Sequence, residues 1–155
     1  MAEAVLMVQK EVAARLLASP GKKDYGLLTL NLAIYARGEK IMDVRPGSFD
    51  PPPEVMSTVI RLSFGRDLRY PIRDMKVFRT LTGAAFRQRR KMVRNTIIPS
   101  LVSMGLDREK AAGIMSESGI EPTVRPETID VERFAELSNR CVEAITTGVS
   151  PEGPV

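Results

Sequence analysis

Residues 57–74 read STVIRLSFGRDLRYPIRD, and within them the pattern changes from that of a strand to that of a helix. Ser57 to Leu62 alternates and is rich in β-branched residues, which predicts a strand. Gly65 to Pro71 is typical of a domain boundary, and Asp74 can cap a helix that runs to about Phe86. The chain therefore changes from β to α structure at this boundary.

Upstream of this stretch, the sequence predicts two more strands and two helices. The apolar run Val5–Val8 indicates a buried parallel strand, which needs neighbours on both sides. Because few strand candidates follow, this run suggests an edge cut through a larger sheet. A helix is expected over Gln9–Ala18, a second helix over Tyr25–Ala36, and a short strand over Lys40–Val44.

Downstream, the pattern is helical throughout. Residues 91–104 predict a helix that Pro99 should kink or divide. Asp107 can cap a third helix ending at Gly119, and Asp130 a fourth ending at Gly148. The apolar faces of the second and fourth of these helices are Val93, Ile97, Leu101 and Met104, and Phe134, Leu137, Cys141 and Ile145. We predict domains at residues 1–64 and 65–148, followed by a disordered tail at 149–155.

The composition excludes several kinds of site. The chain has no histidine, which excludes Ser-His-Asp and Cys-His catalysis and any His-based zinc site within it. Its one cysteine, Cys141, cannot form an internal disulfide. No apolar run is long enough to span a bilayer, and the N-terminus lacks a signal peptide's basic segment. We therefore expect a cytoplasmic protein without a metal site or membrane association.

Positive charge is concentrated in one segment. Between Arg61 and Arg94 there are eleven Lys or Arg and two acids, a charge of +9, whereas the whole chain carries +4. The densest part is Phe86-Arg87-Gln88-Arg89-Arg90-Lys91-Met92-Val93-Arg94. Such a local basic patch indicates an acidic partner, and nucleic acid fits it best.

If this dense part is helical, Arg87, Arg90 or Lys91, and Arg94 lie on one face. Like charges at that spacing repel, and phosphate groups would neutralise them. The alternative is a solvated helix face whose acids come from elsewhere in the fold. The predicted RNA-binding residues are Arg87, Arg89, Arg90, Lys91 and Arg94.

Five segments in order resemble the C-terminal half of the small-subunit ribosomal RNA adenine dimethyltransferases, and the resemblance runs from about Ala4 to Ala144. Each motif alone is modest, but five in the right order and spacing are highly specific. They are Val5–Ala13, Lys23–Gly26, Phe49–Ser57, Ala85–Lys91 with Arg94-Asn95, and Arg125–Thr128 before Phe134.

The resemblance implies a fold, an activity and a partner. Residues 1–64 would be the last strands of a Rossmann-like methyltransferase domain, an α/β remnant, and residues 65–148 a small all-α domain that helps to dock on the immature small subunit. The family transfers methyl groups from S-adenosylmethionine to two adjacent adenines of small-subunit rRNA. Phe49 matches the aromatic residue that stacks on the target adenine, which must leave its own stack to react. The alternative is that Phe49 only anchors its loop on the core, which the residues alone favour and the resemblance does not.

The resemblance also shows what this sequence lacks. The Gly-rich loop and acidic residue that hold the cofactor, and the Asn-Leu-Pro-Tyr motif that orients the target amine, are not found in it. We therefore expect no cofactor-binding residue here and no activity from the chain alone. One departure lies inside the match: Met56 stands where the family usually has Asp.

Four interpretations follow. The chain is a fragment of the methyltransferase that retains the target-adenine loop and the RNA-binding surface, or a non-catalytic module for rRNA binding and ribosome assembly. It is otherwise an inert gene fragment, or one half of an enzyme whose N-terminal half is a separate chain.

Overall fold

The computed structural model describes residues 2–148 and divides into two compact units, Met1–Arg69 and Tyr70–Val155. We call them the sheet unit and the helical unit. The sequence places the boundary at residue 65, but Arg69 is held on the sheet unit. Its backbone N–H donates to the Ile34 carbonyl at 2.9 Å, and its guanidinium donates to the Ala33 carbonyl at 3.2 Å. The predicted tail at 149–155 lies outside the described residues.

The sheet unit has the order strand, helix, helix, strand, strand, and the helical unit adds four helices. The elements are β1 (Ala2–Gln9), α1 (Lys10–Leu16), α2 (Leu27–Ala33), β2 (Ala36–Val44), β3 (Ser57–Phe64), α3 (Met75–Arg87), α4 (Arg94–Ser103), α5 (Arg108–Glu117) and α6 (Val131–Gly148).

The three strands form one antiparallel sheet in the order β1-β3-β2. The prediction of three strands is confirmed, but the prediction that Val5–Val8 is a buried parallel strand is wrong. β1 pairs antiparallel with β3 alone, and the exposed fractions of Val5 and Met7 are 59% and 53%. A continuous apolar run does not distinguish a strand buried on both faces from an edge strand with one bare face.

The register of β1 on β3 separates the two faces of the sheet. Leu6 lies opposite Ile60 on the inner face, whereas Met7 lies opposite Val59 on the outer face. The inner face packs on α1 and α2, where Gly38 of β2 leaves room for side chains that a Cβ would strike. The inner-face core consists of Ala13, Ala36, Ile60 and Leu62, with Ala4, Val8, Leu16, Leu17, Leu32 and Phe64 packed against it.

In the helical unit, the three predicted aspartate caps are confirmed. Asp74 accepts from Lys76 N–H at 2.7 Å, Asp107 from Lys110 N–H at 2.7 Å, and Asp130 from Arg133 N–H at 2.8 Å. Most of the two predicted apolar faces lies in the core: Val93, Ile97, Leu101, Phe134, Leu137 and Cys141 are fully buried, whereas Met104 and Ile145 are half-buried.

The helix predicted from Lys91 begins only at Arg94. Pro99 lies inside α4 without dividing it, so that alternative is wrong. Pro99 lies in the second turn of α4 and removes only the backbone hydrogen bonds next to it. The burial of Ile97, Ile98 and Leu101 against neighbouring helices holds the rest of the helix in place. None of the helices in residues 2–148 is long and apolar enough to cross a membrane.

Candidate nucleic-acid interface

The predicted basic residues connect α3 to α4. α3 ends at Arg87, Gln88 leaves helical geometry with φ −131° and ψ 63°, and α4 begins at Arg94. We call residues 87–94 the basic loop. The interpretation of a continuous basic helix face is therefore wrong. No acid occurs between Asp74 and Asp107, so a helix here would stack like charges without compensation.

Both ends of the basic loop are fixed to the core of the helical unit. Phe86, immediately before it, is 7% exposed, and its ring centroid lies 6.0 Å from that of Phe134. At the other end, Val93 N–H donates to the Val124 carbonyl at 2.8 Å, and Arg94 N–H donates to the Pro122 carbonyl at 3.2 Å. The loop is thus held at two points while its charged side chains extend outward.

The structure brings four of the five predicted RNA-binding residues, Arg87, Arg89, Arg90 and Lys91, together around one surface depression, whereas Arg94, at the start of α4, does not line it. An open depression of about 550 Å³ is lined by residues 86–91. No ion pair within the described part of the chain includes Arg87, Arg90, Lys91 or Arg94. The acids that the alternative interpretation requires do not reach these four cations. All five predicted residues, Arg87, Arg89, Arg90, Lys91 and Arg94, are exposed.

Phe49 lies in the sheet unit, in the connection between β2 and β3. We call residues 45–56 the Phe49 loop. Phe49 follows a single turn of 3-10 helix, Pro46–Ser48, and its N–H donates to the Pro46 carbonyl at 3.1 Å. Its side chain is half-buried, whereas the three prolines at 51–53 are exposed. The backbone of Phe49 is therefore held in place, while part of its ring stays accessible to another aromatic ring.

Lys10 ties together the two ends of the Phe49 loop. Its N–H donates to the Met56 carbonyl at 2.9 Å, at the loop's end, and its ammonium lies 3.6 Å from the Asp43 carboxylate, just before the loop's start. Asp43 also accepts from the Lys40 ammonium at 2.7 Å and from the buried Thr58 hydroxyl at 2.7 Å. Sequence reasoning missed this cluster, although Lys10 lies in a motif that carries the resemblance.

The cluster keeps Asp43 ionised. Hydrogen bonds from Lys40 and then Thr58, together with the charge of Lys10, lower the pKa of Asp43 from 3.8 to about 2 against the opposing effect of burial. Met56, the departure from the family pattern, has its sulfur 4.0 Å from the Lys10 ammonium. The carboxylate partner of Lys10 is therefore Asp43, supplied by β2 and not by the Phe49 loop.

Comparison with known proteins identifies the family of the chain. The model of the family described as "Ribosomal RNA adenine dimethylase" matches residues 1–141. The ribosomal RNA small subunit methyltransferase A of Rhodospirillum rubrum is 44% identical over 140 residues, covering 90% of this chain and 45% of that protein. The protein of the same name from Pseudomonas aeruginosa is 37% identical over 137 residues, covering 88% and 48%.

Two solved structures share the fold. A dimethyladenosine transferase from Plasmodium falciparum matches with a TM-score of 0.73 at 23% identity, over 87% of this chain and 55% of that one. The 23S rRNA methyltransferase ErmE matches with a TM-score of 0.60 at 17% identity, over 90% and 55%. This chain spans about half the length of the relatives and structures that it matches. From the family match and these identities, the chain belongs to the ribosomal RNA adenine dimethylase family.

Proposed function

We propose that this chain is the RNA-docking and target-adenine portion of a small-subunit rRNA adenine dimethyltransferase that acts in the cytoplasm. The observation that carries the proposal is the uncompensated charge of the basic loop, where four exposed cations have no acidic partner among the described residues. RNA phosphates neutralise such a surface with release of counterions. Small-subunit rRNA, in the immature subunit, is the partner that the family membership favours.

In this proposal, the sheet unit is the end of a larger Rossmann-like sheet. Its outer face carries exposed Val5, Met7 and Met42, and within residues 2–148 β1 has a neighbouring strand on one edge only. Apolar surface and a free strand edge are normally covered in a finished fold. Another half of the protein, on the same or a separate chain, would cover them and complete the methyltransferase domain.

The parent enzyme would use S-adenosylmethionine, but the residues described here do not fit that cofactor. β1 runs into α1 at Gln9-Lys10 without a glycine, and the left-handed glycines Gly21, Gly105 and Gly119 follow helices. A site for this cofactor needs a glycine-rich turn between a strand and a helix, where the backbone can come close to the ligand. We therefore propose that this chain alone transfers no methyl group and that its role is to recognise RNA.

An RNA titration tests the docking surface. The chain is titrated with a hairpin from the 3′ end of small-subunit rRNA at several salt concentrations. Changing Arg87, Arg90 and Arg94 to Glu should weaken binding by about 100-fold or more, and should lower the slope of log affinity against log salt by about three. A matched control changes Lys76, Arg108 and Lys110 to Glu, which are exposed in the same unit but outside the depression.

Equal losses in both triple variants, or binding by the folded chain that does not respond to salt, would overturn the assignment of the basic loop. Absence of binding by the unaltered, folded chain would favour the inert fragment.

The role proposed for Phe49 has its own test in the same titration. Stacking of one base on an aromatic ring contributes about 1–3 kcal/mol. Phe49→Ala should therefore weaken binding of RNA with the target adenine about tenfold and leave RNA with an abasic site there unaffected. Phe49→Tyr, which keeps the ring, should behave as the unaltered chain. An equal loss for both RNAs would mean that Phe49 anchors its loop and does not contact the base.

A further inference from the structure

A groove between α3 and α4 adjoins the basic loop. Its volume is about 400 Å³, within the range of small-molecule sites. Arg87 and Gln88 line both this groove and the depression of the basic loop, so the two surfaces are continuous. Thr80 and Arg87 lie on one face of α3, and Asn95 and Ser103 lie on one face of α4. We call it the α3/α4 groove.

Three of the four hydroxyl groups that line the groove, those of Thr80, Thr96 and Ser103, use their proton within their own helix, whereas no such bond is seen among the described residues for the Ser100 hydroxyl. Thr80 donates its hydroxyl proton to the Lys76 carbonyl at 2.8 Å, and Thr96 donates to the Val93 carbonyl at 3.0 Å. Ser103 donates to the Ser100 carbonyl at 2.7 Å. A hydroxyl has one proton and two lone pairs, so these three oxygens keep only lone pairs for a ligand. These three oxygens therefore suit a ligand group that donates hydrogen bonds, while Gln88, Asn95 and Ser100 in the same groove can donate to a group that also accepts, as a hydroxyl does.

The hydrogen-bond acceptors of the groove favour some chemical groups of a nucleic acid over others. Phosphate oxygens only accept, so they suit donors such as Arg87 and Asn95 and not the oxygens of Thr80, Thr96 and Ser103. The ribose 2′-hydroxyl can donate, and DNA lacks it. A basic peptide also donates hydrogen bonds, but the cations of the basic loop would repel it.

We propose that the α3/α4 groove binds the ribose groups of a single RNA strand that leaves the basic loop, and that Thr80, Thr96 and Ser103 accept hydrogen bonds from 2′-hydroxyls. The groove then distinguishes RNA from DNA. This inference rests on the proposed RNA-docking function and adds a site to it.

The test uses the full chain and a hairpin whose duplex stem is always RNA and whose single-stranded tail is RNA or 2′-fluoro RNA. The fluorinated tail keeps A-form sugar geometry but has no hydroxyl to donate. The unaltered chain should bind the RNA tail about fivefold more tightly for each hydrogen bond made. The variant Thr80→Val, Thr96→Val, Ser103→Ala should lose this preference and should bind the 2′-fluoro hairpin as the unaltered chain does.

The control variant is Thr146→Val with Thr147→Val on α6. These exposed threonines also donate to helix carbonyls, both at 2.8 Å, but neither lines the groove. The control should keep the preference for the RNA tail. If the triple variant fails to fold, Thr80→Val alone replaces it and should lose about fivefold of the preference.

Equal affinity of the unaltered chain for both tails would overturn the inference and leave RNA docking intact, provided that binding still depends on Arg87, Arg90 and Arg94. Equal weakening of both hairpins by the groove variant would also overturn it. Failure of every hairpin to bind would instead remove the proposed docking function itself.

Discussion

The sheet unit leaves more of its large apolar side chains exposed than the helical unit does. Most of the large hydrophobic side chains that are exposed within residues 2–148 lie in the sheet unit, including Val5, Met7 and Met42. In the helical unit the exposed ones are Met92 and Val102. The helical unit therefore buries most of its large apolar side chains, whereas the sheet unit leaves many of its own exposed, including Val5, Met7 and Met42 on the outer face of its sheet.

The geometry of the elements explains the difference. Each helix of the helical unit has one apolar stripe, and the stripes meet in a shared core around residues such as Phe78, Leu101 and Phe134. A sheet has two faces, and α1 and α2 are available to cover only one of them.

Phe134→Ala should lower the free energy of unfolding of the helical unit by about 3–5 kcal/mol, because a fully buried ring that packs on Phe86 is replaced by a cavity. Chemical denaturation followed by circular dichroism measures the change. The control Val102→Ala removes an exposed side chain and should cost less than about 1 kcal/mol. A loss below that value for Phe134→Ala would mean that the helical unit has no fixed core.

A pair of threonine substitutions in β3 compares the two faces of the sheet. Ile60→Thr places a hydroxyl in the inner-face core and should cost about 2–4 kcal/mol. Val59→Thr changes the neighbouring residue on the outer face and should cost less than about 1 kcal/mol, because Val59 is only half-buried and its cross-strand neighbour Met7 is exposed. Amide hydrogen exchange of β3 measures both. Similar losses at the two positions would show that the outer face is covered in solution.

Asp43→Asn tests the cluster that fixes the Phe49 loop. The folded-state pKa of Asp43, about 2, lies below its ordinary value of 3.8. The ionised carboxylate therefore stabilises the sheet unit above about pH 4, and this contribution is lost as the pH falls towards about 2. The variant should lack that part of the acid dependence and be less stable near neutral pH, with a smaller effect than Ile60→Thr.

Glu39→Gln is the control for Asp43→Asn, because Glu39 also pairs across strands, with Arg61 at 2.9 Å, but both side chains are well exposed. Its effect on stability should stay below about 1 kcal/mol. If the two variants have the same acid dependence of β3 amide exchange, Asp43 does not contribute through its charge.

Elements that depend on local chemistry can be predicted from the sequence. Asp74, Asp107 and Asp130 begin helices where predicted, since a cap needs only its own carboxylate and the next backbone amides. The sequence also predicts the apolar stripe from Phe134 to Cys141 and the strand that begins at Ser57. The spacing of apolar residues along the chain indicates which side of an element faces the core. The order of five short motifs likewise indicated the family, which the family model confirms.

Packing between distant parts of the chain settles which residues meet. Local sequence does not show that β1 pairs with a single strand among the described residues, or that Lys10 bridges Asp43 and Met56. Each of these depends on contacts between residues far apart in the chain, as does the α3/α4 groove. Periodicity constrains the face that a residue occupies, but the residue opposite that face is set by strand register and helix packing.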